Sequence, residues 1–412
     1  MKAHSHIYKA FPRRIICTHY MLRHVWKCHK KLLLTTKKRH NTLINYNRQR
    51  PLQLYCRQKP SSKNMKTEHI LIIRFSAIGD VAMTVPVVYS LAHQYPHLRI
   101  NVLSRPYARC FFENLAPNVG FMAADIDYEY HGVTGLNNLY RRLIAKQFTA
   151  IADFHNVLRS NYLRMRFSLA NYKVAHIDKH RDGKRALTRR DGKVLKQQPS
   201  QFHNYAEVLE KLGYPVRINF TSIFPITGGN LRLLGENYSE KKQFEKWIGV
   251  APFAAHPGKI YPTEKMEKVV ALLIKKHPSC RIFLFGGGKE ENALMNSWAE
   301  KYPQVTNASF ELASLEKEMI LMSHLNVMIS MDSANMHLAA ICNTPVVSVW
   351  GATHPYAGFM GWNQRYDDIV QTDLPCRPCS IYGNRPCYRG DFACMNNITP
   401  ETIVKHAEVY LQ

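Results

Sequence analysis

Asp80 is where a reaction can first be placed on this sequence. It follows the small, flexible run Ser76-Ala77-Ile78-Gly79 and opens an apolar, helix-like stretch from Val81 to Ala92. A helix N-terminus favours a carboxylate in its ionised form, and an ionised carboxylate beside a substrate hydroxyl can act as a general base. The same position suits a plain N-cap, and the local sequence leaves both roles open. Three turns in the second half carry groups suited to an anionic ligand. In His256-Pro257-Gly258-Lys259, a lysine stands just past a strand end, where its ammonium can meet a phosphate as a point charge or remain a solvated surface group. In Gly286-Gly287-Gly288-Lys289-Glu290, glycines let a backbone approach a ligand, and Glu290 could accept hydrogen bonds from ribose hydroxyls. That run is neither GxGxxG nor GxxxxGK[ST], so alone it is weak. The third, Ser330-Met331-Asp332-Ser333-Ala334-Asn335-Met336-His337, says most. Small residues at a helix start expose N–H groups to a diphosphate. Asp332 can order the turn, and His337, one helical turn further on, is either a ligand contact or a buried structural histidine.

The elements around these residues follow a βα rhythm. Ile70 to Ile73 is apolar and β-branched, as a strand buried in a parallel sheet requires. Further strands are expected at Arg99–Ser104, Thr149–Phe154 and Lys173–Ile177, and helices at Leu136–Gln147, Arg159–Ala170 and Gln201–Leu212. After a Pro- and Gly-containing connection the rhythm restarts, with strands at Val250–His256, Arg281–Phe285, Val305–Asn307, Val327–Met331 and Val346–Trp350. Strands and helices alternating with short turns predict an α/β protein with two parallel-sheet domains facing a cleft. The expected boundaries are a domain over 65–225, a linker over 226–248, a second domain over 249–398 and a C-terminal helix over 399–412. Residues 178–200 hold eight Lys or Arg with two glycines and read as a solvated, mobile loop that would also suit an anionic acceptor.

The net charge of +26 shrinks on inspection. Residues 1–64 hold 16 of the 56 Lys and Arg and none of the 30 Asp and Glu, so the remaining 348 residues carry only +10. That first stretch shows no clear helical or strand period. It reads as sequence upstream of a true start at Met65, as a disordered basic tail, or as a targeting segment. No window is apolar enough for a transmembrane helix. Cys110, Cys280 and Cys342 stand alone in apolar surroundings, as reduced thiols of a cytosolic protein would. Cys376, Cys379, Cys387 and Cys394 form a cluster that could hold zinc tetrahedrally. The spacing departs from paired CxxC modules, and metal, disulfide and free thiols all stay open, with free thiols preferred. Asp125-Ile126-Asp127 matches a DxD pattern but reads as a surface turn.

Four of these stretches together resemble a known family. RFSAIGDVAMTVPVV, HPGKIYPTEKM, FGGGKEE and SMDSANMHLAAICNTPVVSVWGATHP are similar, in order and spacing, to the bacterial lipopolysaccharide heptosyltransferases of glycosyltransferase family 9. The likeness runs from about Met65 to Gln412. It implies two Rossmann-like domains of the GT-B type, acceptor on the first and nucleotide sugar on the second. Asp80 then matches the general base and Lys259 the diphosphate lysine. Glu290 matches the nucleoside carboxylate, and Asp332, Ser333, Ala334 and His337 the donor-binding turn. Where the family often has Thr-Gly, this chain has Ser333-Ala334; both pairs are small.

The resemblance implies inverting transfer of a heptose, with ADP-heptose the expected donor, onto an anionic lipopolysaccharide inner core. No cofactor is expected, and no metal, since a lysine and a helix terminus can stabilise the leaving diphosphate. Arg159, Arg164 and Arg166 would contact the acceptor. A cytoplasmic location follows, with peripheral contact at the inner membrane face. A nucleotide-binding oxidoreductase is the competing enzyme class, disfavoured because no GxGxxG follows a strand. A nucleic-acid partner is disfavoured because the charge excess lies mainly in residues 1–64.

Overall fold

The computed structural model describes residues 68–238 and 240–412, so the readings of the basic segment 1–64 lie outside the described residues. β1 (His69–Ile73) is buried along its whole length, which its unbroken apolar run permits only in the middle of a sheet covered on both faces. It pairs in parallel with β2 (Arg99–Ser104) and β4 (Ala150–Asp153). With β3 (Val119–Ala123) and β5 (Lys173–His176) the order is β3-β2-β1-β4-β5. The winding therefore reverses between β1 and β4. In open α/β sheets ligands bind at such a reversal, past the carboxyl ends of the strands. The segments leaving β1 and β4 meet there, with Ser76 Oγ 3.5 Å from His155 Nε2.

The second sheet repeats this plan. β6 (Trp247–Ala251), β7 (Arg281–Leu284), β8 (Val305–Asn307), β9 (Val327–Met331), β10 (Val346–Trp350) and β11 (Ile369–Gln371) form a parallel sheet of order β11-β10-β9-β6-β7-β8. Its reversal lies between β6 and β9, so the turns carrying Lys259 and Ser333 emerge side by side. The expected strand Val250–His256 instead starts at Trp247 and stops at Ala251, because Pro252 has no N–H to give the ladder. The closing helix Pro400–Glu408, capped by Thr399, packs Ile403, Val404 and Ala407 into the second core.

The two sheets share one joint. Helix Ile78–Ala82 of the first lobe packs against helix Ala334–Ile341 of the second. The fit is close: a Cβ on Gly79 would stand 2.7 Å from His337 Cδ2. The segment 178–200 is not the mobile loop its charges suggested. It contains a helix, Arg181–Leu187, and then runs onto the second lobe, where Gln198 N–H donates to Tyr356 O at 2.8 Å and Gln201 N–H to Gly358 O at 3.0 Å. Backbone hydrogen bonds tie the segment to the other lobe while most of its lysines and arginines stay exposed to water. Trp362 Nε1 donates to Phe220 O and its ring packs edge-on against Phe202, fastening the joint again near the linker.

Candidate active site

A cleft of about 530 Å³ lies between the two lobes, lined by Ala77 to Asp80 from the first and by the three donor-side turns from the second. Asp80 is the third residue of its short helix, and the Ala77 N–H donates to its Oδ2 at 3.4 Å. Its main partner is Arg74, which leaves the end of β1 and places NH2 2.5 Å from the same oxygen. Arg74 is fixed by NH1 donating to Phe154 O at 2.7 Å. The pair is asymmetric: the Arg74 side chain is 7% exposed and that of Asp80 29%, so the carboxylate is the member offered to the cleft. Burial opposes ionisation of Asp80. The Arg74 guanidinium, followed by His337 and the Ala77 N–H, outweighs that penalty and holds its pKa below the usual carboxylate value. Tyr205 donates its hydroxyl to Asp80 O, steadying the turn from behind.

On the second lobe Lys259 Nζ lies 2.9 Å from Asp332 Oδ2, and here exposure is reversed, 16% for the lysine and 5% for the aspartate. Asp332 also accepts from Thr353 Oγ1 at 2.8 Å. A buried carboxylate thus orients an ammonium that faces the cleft. Gly383, at φ 75°, lies against the lysine stem so closely that a Cβ would meet Lys259 Cγ at 2.6 Å. Ser333 is the N-cap of helix Ala334–Ile341, and both Ser333 and Ala334 line the cleft. The exposed N–H groups of that helix start and the Lys259 ammonium together make an anion site. His337 is buried, its Nδ1 has no hydrogen-bond partner, and burial drives its pKa down to about 4, so it is neutral at pH 7.

Four of the expected site residues lie outside the lining of the cleft. Glu290 is exposed and does not line the cleft; the neighbouring Glu291 does, accepting the Gly287 N–H at 2.7 Å. The helix starts at Lys289, so Glu291 is the residue whose side chain turns back over the glycine run. Arg164 pairs with fully buried Asp153 at 3.1 Å and also donates to Asn156 Oδ1. Arg166 donates to Asn137 Oδ1 and Tyr162 OH and stacks 4.5 Å from the Tyr140 ring centroid. Both arginines are consumed inside the first lobe, and Arg159 lies near Asp127 at 3.8 Å, so none of the three lines the cleft. Asp125-Ile126-Asp127 is the turn it was read as, Asp125 Oδ1 accepting from the N–H groups of Asp127 and Tyr128.

Residues not singled out in the sequence also enter the site. Arg74 could have been found as a lone charge following four apolar strand residues. His155, at the end of β4, is held neutral with its pKa lowered to about 3, chiefly by burial and then by Arg74. Glu318 lines the donor end of the cleft, and burial raises its pKa to about 7. Phe359 and Tyr382 close the cleft from the second lobe and left no sequence signal. Among the described residues no group of three or more His, Cys, Asp or Glu is placed to hold a metal, and Cys376, Cys379, Cys387 and Cys394 are free thiols.

A pair of doubly wound lobes presenting a carboxylate from one side and an anion site from the other is the arrangement of a GT-B-type glycosyltransferase. The family model for glycosyltransferase family 9 (heptosyltransferase) matches residues 136–386, and the chain belongs to this family. Lipopolysaccharide heptosyltransferase 1 of Campylobacter coli is 28% identical over 173 residues, 40% of this chain and 48% of that protein. The match thus spans about half the length of that relative. Lipopolysaccharide heptosyltransferase 3 of Escherichia coli is 26% identical over 306 residues, 67% of this chain and 81% of that protein. The same fold is found in the family 9 glycosyl transferase of Veillonella parvula, with a TM-score of 0.63, 18% identity and coverage of 85% of this chain and 99% of that one. It is found again in E. coli heptosyltransferase WaaC with ADP, with a TM-score of 0.58, 17% identity and coverage of 83% and 99%. Among the described residues no helix is long and apolar enough to cross a membrane.

Proposed function

We propose that this chain transfers a heptose from a nucleotide-sugar donor, ADP-heptose, to the inner core of lipopolysaccharide with inversion at the anomeric carbon. The observation that carries this reading is the pair of oppositely presented charges, the Asp80 carboxylate and the Lys259 ammonium, on the two sides of one cleft. In the reaction an acceptor hydroxyl gives its proton to Asp80 as its oxygen attacks the anomeric carbon. The bond from that carbon to the diphosphate oxygen breaks, and the electron pair leaves with the diphosphate. Lys259 and the helix start at Ser333 stabilise the charge that develops on it. The low pKa of Asp80 keeps the base ionised through the neutral range.

Asp80→Asn tests the assignment. With ADP-heptose and a core-deficient lipopolysaccharide acceptor, turnover should fall about 10²- to 10⁴-fold, while ADP affinity stays within about twofold. Turnover near wild type would remove Asp80 from the role of base. Peripheral contact with a membrane belongs to the same reading. Helix Leu158–Leu169 leaves Leu158, Met165 and Leu169 exposed at helical spacing. Retention of the protein on anionic phosphatidylglycerol vesicles at low salt is the expected result, and full recovery in the unbound fraction would count against it.

A further inference from the structure

A second cavity, of about 190 Å³, lies beside the cleft and is lined by Thr188, Arg189, Arg190 and Lys193 of the interlobe segment and by Arg385 and Tyr388 of the C-terminal loop. Cys376, Cys379 and Pro386 complete its wall, and no Asp or Glu lines it. Four cations drawn from two lobes repel one another, and Asp191, next in the chain, lies outside the lining. Two of them are held in place. Lys193 Nζ donates to Pro375 O at 3.0 Å and Pro378 O at 3.2 Å, and the Arg190 guanidinium stacks 4.7 Å from the Tyr388 ring centroid. Arg189, Arg190 and Arg385 make no ion pair among the described residues. A cation cluster with no carboxylate in its wall is a receptor for a tetrahedral dianion, which guanidinium binds bidentately.

Two short stretches of chain connect this cavity to the active-site cleft. Tyr382 lines the cleft and Arg385 the cavity, three residues apart, a reach of at most about 11 Å. On the other wall, Lys184 Nζ lies 4.3 Å from the ring centroid of Phe359, a cleft residue. Thr188, four residues later, lines the cavity, a rise of about 6 Å along the helix. An anion in the cavity therefore lies next to the part of the cleft lined by Phe359 and Tyr382.

We propose that this cavity is a phosphate subsite that binds a phosphate monoester on the acceptor. A monoester carries about −1.5 to −2 at pH 7, which suits four cations better than a single carboxylate does. The inference rests on the transferase reading for the acceptor and on the cavity alone for the phosphate. It also moves acceptor recognition from Arg159, Arg164 and Arg166 to Arg189, Arg190, Lys193 and Arg385.

The test has two arms, using the full chain and the double variant Arg189→Gln/Arg385→Gln, both exposed positions. In the first, inorganic phosphate is titrated calorimetrically at low ionic strength with ADP saturating the donor site. Wild type should bind phosphate at least tenfold more tightly than the double variant, and equal binding would overturn the subsite. Failure of ADP to bind would count against the transferase reading and leave the phosphate result to stand by itself. The second arm separates a phosphorylated acceptor from free phosphate, using transfer to a core-deficient lipopolysaccharide before and after enzymatic dephosphorylation. The double variant should raise KM about tenfold for the phosphorylated acceptor, leave kcat unchanged, and leave the dephosphorylated acceptor's KM as in wild type. If dephosphorylation changes neither protein's KM, the cavity takes a free anion and the acceptor assignment falls.

Discussion

The two lobes build the same device with its ends exchanged. Each sheet reverses its winding at a central strand, and from each reversal a cation–carboxylate pair reaches the cleft, Arg74–Asp80 at 2.5 Å and Lys259–Asp332 at 2.9 Å. In the first the cation is sunk and the carboxylate looks into the cleft; in the second the carboxylate is sunk and the cation looks out. A buried charge needs a partner, so each lobe meets that demand while leaving the other member available for chemistry. Sequence position explains the difference. Arg74 continues a buried strand, so its guanidinium is carried inward, and Asp80 sits on the helix beyond. Asp332 follows buried β9, whereas Lys259 comes from the neighbouring turn and reaches over it. One lobe therefore presents a base and the other an anion-binding group.

Breaking the first pair has the largest expected effect, the loss of turnover in Asp80→Asn. Lys259→Met should come next. A hydrogen bond to a charged group contributes about 1.5–3 kcal/mol, so ADP affinity measured calorimetrically should fall about 10- to 100-fold. An unchanged affinity would mean that the lysine serves only to neutralise Asp332. Arg74→Met sharpens the contrast through pH. Arg74 lowers the pKa of Asp80 against the opposing effect of burial, so its loss lets that pKa rise. The base must be ionised to act, so activity should be lost at higher pH as the solution is acidified. The acid limb of the kcat profile should move up by about 1–2 units, and an unmoved limb would show that Asp80 is not the titrating group. The smallest effect separates two neighbours. Glu291→Gln should weaken ADP about three- to tenfold by loosening the Gly287 turn, whereas Glu290→Gln should leave the affinity as it is.

What could be read from the sequence was what depends on neighbours along the chain. The β1 turn with Asp80, Lys259 beside its glycine, and the Asp332–His337 turn are short segments whose residue types dictate their shape. The doubly wound plan follows from the βα alternation in the same way. What could not be read depends on partners distant in sequence. Arg164 is taken up by Asp153, and Arg166 by Asn137 and Tyr140, contacts that only the packing of helix Leu158–Leu169 creates. The charged run 178–200 has the composition of a solvated loop, yet it is held by carbonyls of the other lobe. The sequence points to Glu290, and its neighbour Glu291 stands in the same first helical turn. The choice between them is set by the residue at which the helix begins, Lys289, and by the direction a third-position side chain then takes.

Gly79 gives the joint between the lobes a mechanical meaning. A Cβ there would stand 2.7 Å from His337, where ordinary contact begins at 3.4 Å, and 3.3 Å from the Ala334 backbone. The missing methyl group is thus the clearance of the bearing on which the two lobes meet, one residue from the base and against His337, three residues past the anion-binding helix start. A single carbon inserted at this point would act as a shim. It would hold Asp80 away from the leaving group while removing no charge from the cleft. The gap across which the reaction runs is gauged by a hydrogen atom on a glycine.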